Sequence, residues 1–306
     1  MPEPLRAAAV PAEGPGARTA LSIQVHPDRP QARAGFCAQQ GRPGSRTYAD
    51  DWPKPELLYA LTPFEVLAGF REPHDAAGAL HALDLGQLRP VSATLRAPGG
   101  TGCLREALRA ILMWPEPDRP DLLEAVVQAC RGVAASGSAH AAACDAVVRM
   151  AADHPGDIGL LASLLLRHRL LAPGEALYMP AGGLHAYIAG TGLELLANSD
   201  SVLRAGLTSK HVNIPELLRI VDPAADVPVL RPRPLASTPG GVVFDSPAPE
   251  FRLYRFTLGP AAAELPVIGP RISLCLAGKA SLRDEHGCTL TLQTGQSCFL
   301  PAADGW

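Results

Sequence analysis

The spacing of apolar residues changes twice along this chain, and that change limits the folds open to it. Ser22, Gln24 and His26 alternate with Leu21, Ile23 and Val25, the period-two pattern of a β-strand with one polar and one apolar face. From Thr62 to about Leu171 the period lengthens. Leu104, Leu108, Ile111 and Leu112 fall at i, i+4, i+7 and i+8, along one side of a helix. Asp121 and Glu124 have the spacing of a capping box at the start of a second helix carrying Leu122, Leu123, Val126 and Val127. Ala146, Val147 and Met150 predict a third, and Ile158 to Leu171 a fourth that stops before Pro173-Gly174. Beyond Pro173, short runs punctuated by turns predict strands at Glu175–Met179, His185–Ala189 and Gly192–Ala197, then a helical turn at Pro215–Ile220. A Pro-rich connector leads to strands at Val242–Phe244, Phe251–Leu258, Arg271–Ala277, Ala280–Arg283, Thr289–Gln293 and Ser297–Leu300. Many short strands with Gly and Pro turns predict a sandwich or jelly roll rather than a parallel sheet.

The expected architecture is mainly β with a helical insertion: a first β domain from 21–61 and 172–222, the insertion at 62–171, and a second β domain at 223–306. Residues 1–20, rich in Pro, Ala and Gly and without period, read as a disordered tail. With 27 basic against 30 acidic residues, no basic field exists to recruit nucleic acid or anionic lipid. Seven cysteines without a C-x-x-C pair indicate neither a disulfide framework nor a thiolate zinc site. There is no signal-peptide core and no run of 18 apolar residues. A soluble, cytoplasmic protein with reduced thiols is expected.

Gln24, His26, Glu56 and His185 make a metal-site inventory: an amide oxygen, a carboxylate and two imidazoles. On one strand face Gln24 and His26 can grip one ion, and Pro180 with Gly182-Gly183 builds a turn that delivers His185 and Tyr187 onto one face of the next strand. Such a donor set suits a borderline divalent ion such as Zn²⁺, leaving a residual charge of about +1. An ion with an open position can polarise a carbonyl or stabilise an enediolate. Glu194 adds a possible base, and Arg204 and Lys210 add cations that favour an anionic substrate such as a sugar phosphate. Each segment alone also fits a bland role: a packed histidine, a solvated Lys54-Pro55-Glu56 bend, ordinary surface charges.

The segments LSIQVHPDRPQARAGF (21–36), KPELLYALTPFEVLAGFR (54–71), PGEALYMPAGGLHAY (173–187) and GLELLANSDSVLRAGLTSKHVNIPELLR (192–219) closely resemble type I mannose-6-phosphate isomerases. The resemblance spans roughly residues 21 to 300. It implies two cupin-like jelly rolls with a helical domain inserted in the first, and zinc-dependent interconversion of mannose 6-phosphate and fructose 6-phosphate through a cis-enediolate. By motif position the ligands of one Zn²⁺ per chain would be Gln24, His26, Glu56 and His185. Arg204, in the Leu-Arg-x-Gly-Leu-Thr motif, would stabilise developing charge or hold substrate. Lys54, Tyr187 and Glu194 match further pocket positions of a catalytic set, and Ser22 and Lys210 would contact substrate. The general base is open between Glu194, Tyr187 and a water. A monomer is the favoured state.

The chain departs from the family in one respect. Relatives carry several strands before the Ser-Ile-Gln-Val-His-Pro motif and a closing strand after the last one seen here, which predicts jelly rolls with missing edges and unpaired backbone groups. An incomplete gene model is the preferred explanation and a natural truncation its rival. The missing strands set a non-catalytic, metal-dependent sugar-phosphate binder beside the isomerase, and a weaker third reading is a cupin dioxygenase using Fe(II) on two histidines and a carboxylate.

Overall fold

A computed structural model describes residues 6–10, 19–40, 47–236, 238–260, 262–263 and 269–302. The chain divides into two compact units, 1–230 and 231–306. Strands of the first unit are β1 (Arg6–Val10), β2 (Ile23–Val25), β3 (Glu56–Ala60), β4 (Phe64–Phe70), β5 (Leu166–Leu171), β6 (Ala176–Met179), β7 (His185–Ala189), β8 (Gly192–Leu196), β9 (Leu203–Gly206) and β10 (Val229–Leu230). They form two antiparallel five-stranded sheets, ordered β1-β8-β3-β6-β10 and β5-β4-β7-β2-β9. Helices α1 (Arg29–Gln39), α2 (Pro73–His81), α3 (Arg89–Arg96), α4 (Gly102–Leu112), α5 (Arg119–Ala134), α6 (Ala141–Asp153), α7 (Gly159–Ala162) and α8 (Ile214–Ile220) complete it.

Alternation decides what each sheet face meets. Leu58 and Ala60 of β3 and Leu177 and Met179 of β6 pack with Phe64, Val66 and Ala68 of β4 and with Tyr187 of β7 in one buried cluster, so the sheets lie face to face. The opposite face of the second sheet carries Ile23, Val25, Leu67, Ala186, Ile188, Leu203 and Ala205. These join the buried side chains of the helices in a second, larger core. Hence the central strands of the second sheet carry apolar residues on both sides, while its β5 edge bears Arg167, His168 and Arg169.

The second unit contains β11 (Arg233–Pro234), β12 (Gly241–Phe244), β13 (Leu253–Phe256), β14 (Arg271–Leu274), β15 (Lys279–Arg283), β16 (Thr289–Gln293) and β17 (Ser297–Leu300). They pair as β11-β12-β13, β14-β17 and β15-β16, all antiparallel. The expected class, a cupin-like β framework with a helical insertion, is the one found. Among the described residues, no helix is long and apolar enough to cross a membrane.

Several expected boundaries need correction. Arg6–Val10, within the stretch read as a disordered tail, forms β1 and pairs along its length with β8; a main-chain ladder leaves no trace in side-chain period. Most of the rest of that stretch lies outside the described residues. The helical insertion is shorter than 62–171, because Phe64–Phe70 is a strand and the fourth helix is only Gly159–Ala162 plus a 3₁₀ turn before β5. Pairing of β4 with both β5 and β7 overrides the apolar runs that read as helix. The second helix starts at Arg119, with no side-chain cap at its Asp118 N-cap. A capping box forms instead at α1, where the Gln31 amide donates to Asp28 Oδ1 at 2.7 Å and the Asp28 amide to Gln31 Oε1 at 2.9 Å. Finally, the units divide after Leu230 rather than after 222, since Val227 is buried in the sandwich core and β10 pairs with β6.

Candidate metal centre

Register sets the geometry of the site. Gln24 of β2 lies opposite His185 of β7 on one side and Arg204 of β9 on the other. Partners in register share a sheet face, so Arg204, Gln24 and His185 form one row across three strands. His26 follows two residues after Gln24 on the same face. From the other sheet, Glu56 opens β3, and Glu194 of β8 stands opposite Leu58, two residues further along β3. Glu194 and Glu56 therefore point to the same side.

The turn before β7 aims His185. Gly182 has φ +79 and its amide donates to the His26 carbonyl at 2.9 Å. A Cβ on Gly182 would stand 2.9 Å from Cβ of Asp222, so the turn needs both the conformation and the bareness of glycine. This hydrogen bond adds to the pairing of β2 with β7 in holding the two histidine segments together.

Three donors converge at the centre. His26 Nε2 is 3.1 Å from Glu56 Oε1, and His185 Nε2 is 3.2 Å from Glu56 Oε2. All three residues are buried, and their donor atoms lie within 4.8 Å of one another. His26 donates from Nδ1 to the Ser201 carbonyl at 2.9 Å, and His185 from Nδ1 to the Gly183 carbonyl at 3.0 Å. A carbonyl can only accept, so each ring carries its proton on Nδ1 and turns the lone pair of Nε2 inward. Those two Nε2 atoms and both Glu56 oxygens are buried without a hydrogen-bond partner. Orphaned acceptors are costly in a protein interior, and a divalent cation satisfies all of them at once. The residues present fit such an ion.

Electrostatics sharpen the picture. Burial pushes His26 down, and the nearby Glu56 carboxylate does not fully offset it. Burial opposes the charged form of His185 too, but the Glu56 carboxylate beside it prevails and its pKa rises. Glu56 is held well below the usual carboxylate range, against its burial, by the two imidazoles. Lys54 sets its amine 3.1 Å from Glu56 Oε1. Glu194 is raised to about 7, first by burial and then by the Glu56 charge. Tyr187, fully buried and edge-on to Phe64 at 5.6 Å, is raised well above the ordinary phenol by burial and by the Glu194 and Glu56 carboxylates.

The fold thus brings His26, Glu56 and His185 into one cluster, with Lys54 touching Glu56 and with Tyr187 and Glu194 close enough to feel its charge. Gln24 and Arg204 share the inner row of the second sheet. Ser22 is half-buried just before β2, and Lys210 is on an exposed turn where its amide donates to Thr208 Oγ1 at 3.1 Å. Sequence reasoning did not single out the Ser201 and Gly183 carbonyls, because backbone acceptors carry no residue-type signal. It also missed Asp50, whose hydrogen bonds to Ser199 and Asp200 span about 150 residues of chain.

Two histidines and a carboxylate, buried between the facing sheets of an antiparallel sandwich, define a metal-binding protein of cupin type. Residues 16–73 match the family described as phosphomannose isomerase type I, catalytic domain. Mannose-6-phosphate isomerases from Salmonella typhimurium and Escherichia coli are 34% and 32% identical to this chain, the matches covering 92% of it and 71% of each relative. A lysine-to-alanine variant of the Salmonella phosphomannose isomerase superposes with a TM-score of 0.81 at 31% identity, over 94% of this chain and 72% of that one. The Salmonella enzyme bound to fructose 6-phosphate and zinc gives a TM-score of 0.80 at 30% identity, with the same coverage. The chain belongs to the type I phosphomannose isomerase family.

Proposed function

We propose that this chain interconverts mannose 6-phosphate and fructose 6-phosphate with one bound Zn²⁺. The observation that carries the reading is the convergence of orphaned His26 Nε2, His185 Nε2 and Glu56 oxygens in a buried pocket. Those three residues would hold the zinc, with the Gln24 amide oxygen completing the set from its place opposite His185. Bound there, the metal supplies Lewis acidity toward the sugar oxygens.

The chain's own groups supply the remaining chemistry. Interconversion requires removing a proton from C2 of the aldose and returning it to C1, through a cis-enediolate. Glu194, with a pKa of about 7, is matched to taking and returning that proton near neutral pH. Tyr187 stays protonated and can donate a hydrogen bond to a developing oxyanion. Lys54 places a positive charge beside the carboxylates. Arg204 brings a guanidinium to the inner row, where it can stabilise developing charge or hold substrate. Ser22 and Lys210 complete the substrate contacts. A single chain holds every one of these groups, so a monomer suffices. The seven free cysteines support a reducing compartment such as the cytosol.

The test is a coupled assay of the purified chain. Turnover of mannose 6-phosphate to fructose 6-phosphate, abolished by chelator and restored by zinc, is expected. Turnover indifferent to chelator would sink the metal role, and substrate binding without turnover would return the protein to the non-catalytic binder. Oxygen uptake with iron would mark the dioxygenase, a reading against which the match to isomerases over most of the chain already weighs.

A further inference from the structure

Asp50 touches none of the donors, yet the hydrogen bonds around it lead directly to one of them. Its carboxylate accepts from the Ser199 hydroxyl at 2.7 Å through Oδ1 and from the Asp200 amide at 2.9 Å through Oδ2. The Trp52 amide also donates to Oδ1, at 3.0 Å. Ser199 Oγ in turn accepts from the Ser201 amide at 3.2 Å. The fully buried Ser201 hydroxyl donates to the Asp50 carbonyl at 3.2 Å and accepts from the Ala49 amide at the same distance. The loop 199–201 is thereby stitched to the segment 49–52 by side chain and main chain alike. Its Ser201 carbonyl is the group that receives the His26 Nδ1 proton at 2.9 Å.

We propose that Asp50 is a positioning residue for the metal centre: it anchors loop 199–201 so that the Ser201 carbonyl fixes the tautomer and direction of His26. A metal-bound imidazole needs its other nitrogen held by an acceptor, since that bond orients the ring and raises its basicity. Here the acceptor is a loop carbonyl, which has no stiffness of its own. A carboxylate that grips the loop at two points supplies it. The same residue reaches Trp52, two positions before Lys54 and four before Glu56, so it also connects the His26 support to the segment that carries the carboxylate ligand. The inference deepens the zinc reading given above and rests on it.

The test compares Asp50→Ala, Asp50→Asn and Ser199→Ala with the wild-type chain and with Leu123→Ala, a core truncation in α5 that lowers stability away from the loop. Zinc affinity is measured by competition with a chromophoric chelator, and the His26 tautomer by ring ¹⁵N shifts in the metal-free protein. Asp50→Ala is expected to weaken zinc binding roughly 10–100-fold and to replace the single Nδ1–H form of His26 with a mixture. Asp50→Asn, which keeps one acceptor oxygen, should fall between. Leu123→Ala should bind zinc as the wild type does. Wild-type affinity and tautomer in Asp50→Ala and Ser199→Ala would overturn the proposal, as would an equal loss of affinity in Leu123→Ala. If Asp50→Ala does not fold, the other two variants decide. Zinc binding without isomerase turnover in the wild type would reject the function while leaving the Asp50 result to stand. A wild type that binds no zinc leaves the ring shifts to decide alone.

Discussion

His185 Nε2 stands 3.2 Å from Glu56 Oε2 although the two residues belong to opposite sheets of the sandwich. A histidine and a carboxylate meeting across a hydrophobic core are expensive to keep unless something binds them. His185→Ala should therefore cut zinc affinity by more than the roughly 10–100-fold that loss of an outer partner produces. Isomerase activity should fall in parallel. Metal analysis after dialysis, beside the coupled assay, checks both; a variant retaining one zinc per chain would contradict the assignment.

Glu194 and Glu56 share a sheet face two strand positions apart, and burial together with the Glu56 charge brings Glu194 to about 7. If this carboxylate moves the proton, Glu194→Gln should lower kcat by roughly 10²–10⁴-fold with KM changed far less. Zinc content should stay at the wild-type level, which separates loss of a base from loss of the metal. Near-normal kcat in this variant would transfer the role to another group.

Gly206 ends β9 with φ +141, and a Cβ there would stand 2.5 Å from Cα of Gly159. The obstacle is backbone, which cannot swing aside as a side-chain tip can. Asp157 fastens the same junction, accepting from the amides of Gly159 at 2.7 Å and Thr208 at 2.9 Å. Gly206→Ala is thus expected to destabilise the fold by roughly 2–4 kcal/mol, read as a lower midpoint in chemical denaturation. Arg204, two residues upstream, should lose its place in the row with Gln24, so activity per folded molecule should fall as well.

These relationships differ in how far the chain announces them. Helices such as α4 and α6 follow from local period, because each turns one face to a core. The strand β4 does not: Phe64–Phe70 is buried almost throughout, on the sandwich side through Val66 and Ala68 and on the helical side through Leu67 and Phe70. A strand buried on both faces loses its alternation and reads like any apolar run. The site splits the same way. Donor side chains have chemistry visible in their residue types, and their motifs single out His26, Glu56 and His185. The Ser201 and Gly183 carbonyls that orient the imidazoles became visible only in three dimensions, as did the Asp50 contacts reaching to residue 200.

Glu65 offers a test in which pH is the variable. Its carboxylate accepts from His168 Nε2 on β5 and from Arg149 Nη2 on α6, both at 2.6 Å, and so joins the sheet to the helical insertion. Burial alone would raise this carboxyl, but the two donors overcome it and bring the pKa down to about 2 from an ordinary 4.5. A depressed carboxylate pKa contributes stability that is fully present above the unfolded value and is lost as pH falls through the folded one. The stabilisation from Glu65 is therefore complete above about pH 4.5 and disappears toward pH 2. Because Arg149 is 45% exposed, solvent screening discounts the contribution, to roughly 1–3 kcal/mol. Wild type should exceed Glu65→Gln in unfolding free energy by that amount at neutral pH, and the gap should narrow steadily below pH 4.5. Urea denaturation at a series of pH values measures it directly. A gap that stayed constant down to the acid limit would mean that the carboxylate titrates alike in the folded and unfolded chains, and that the His168 and Arg149 contacts do not hold it.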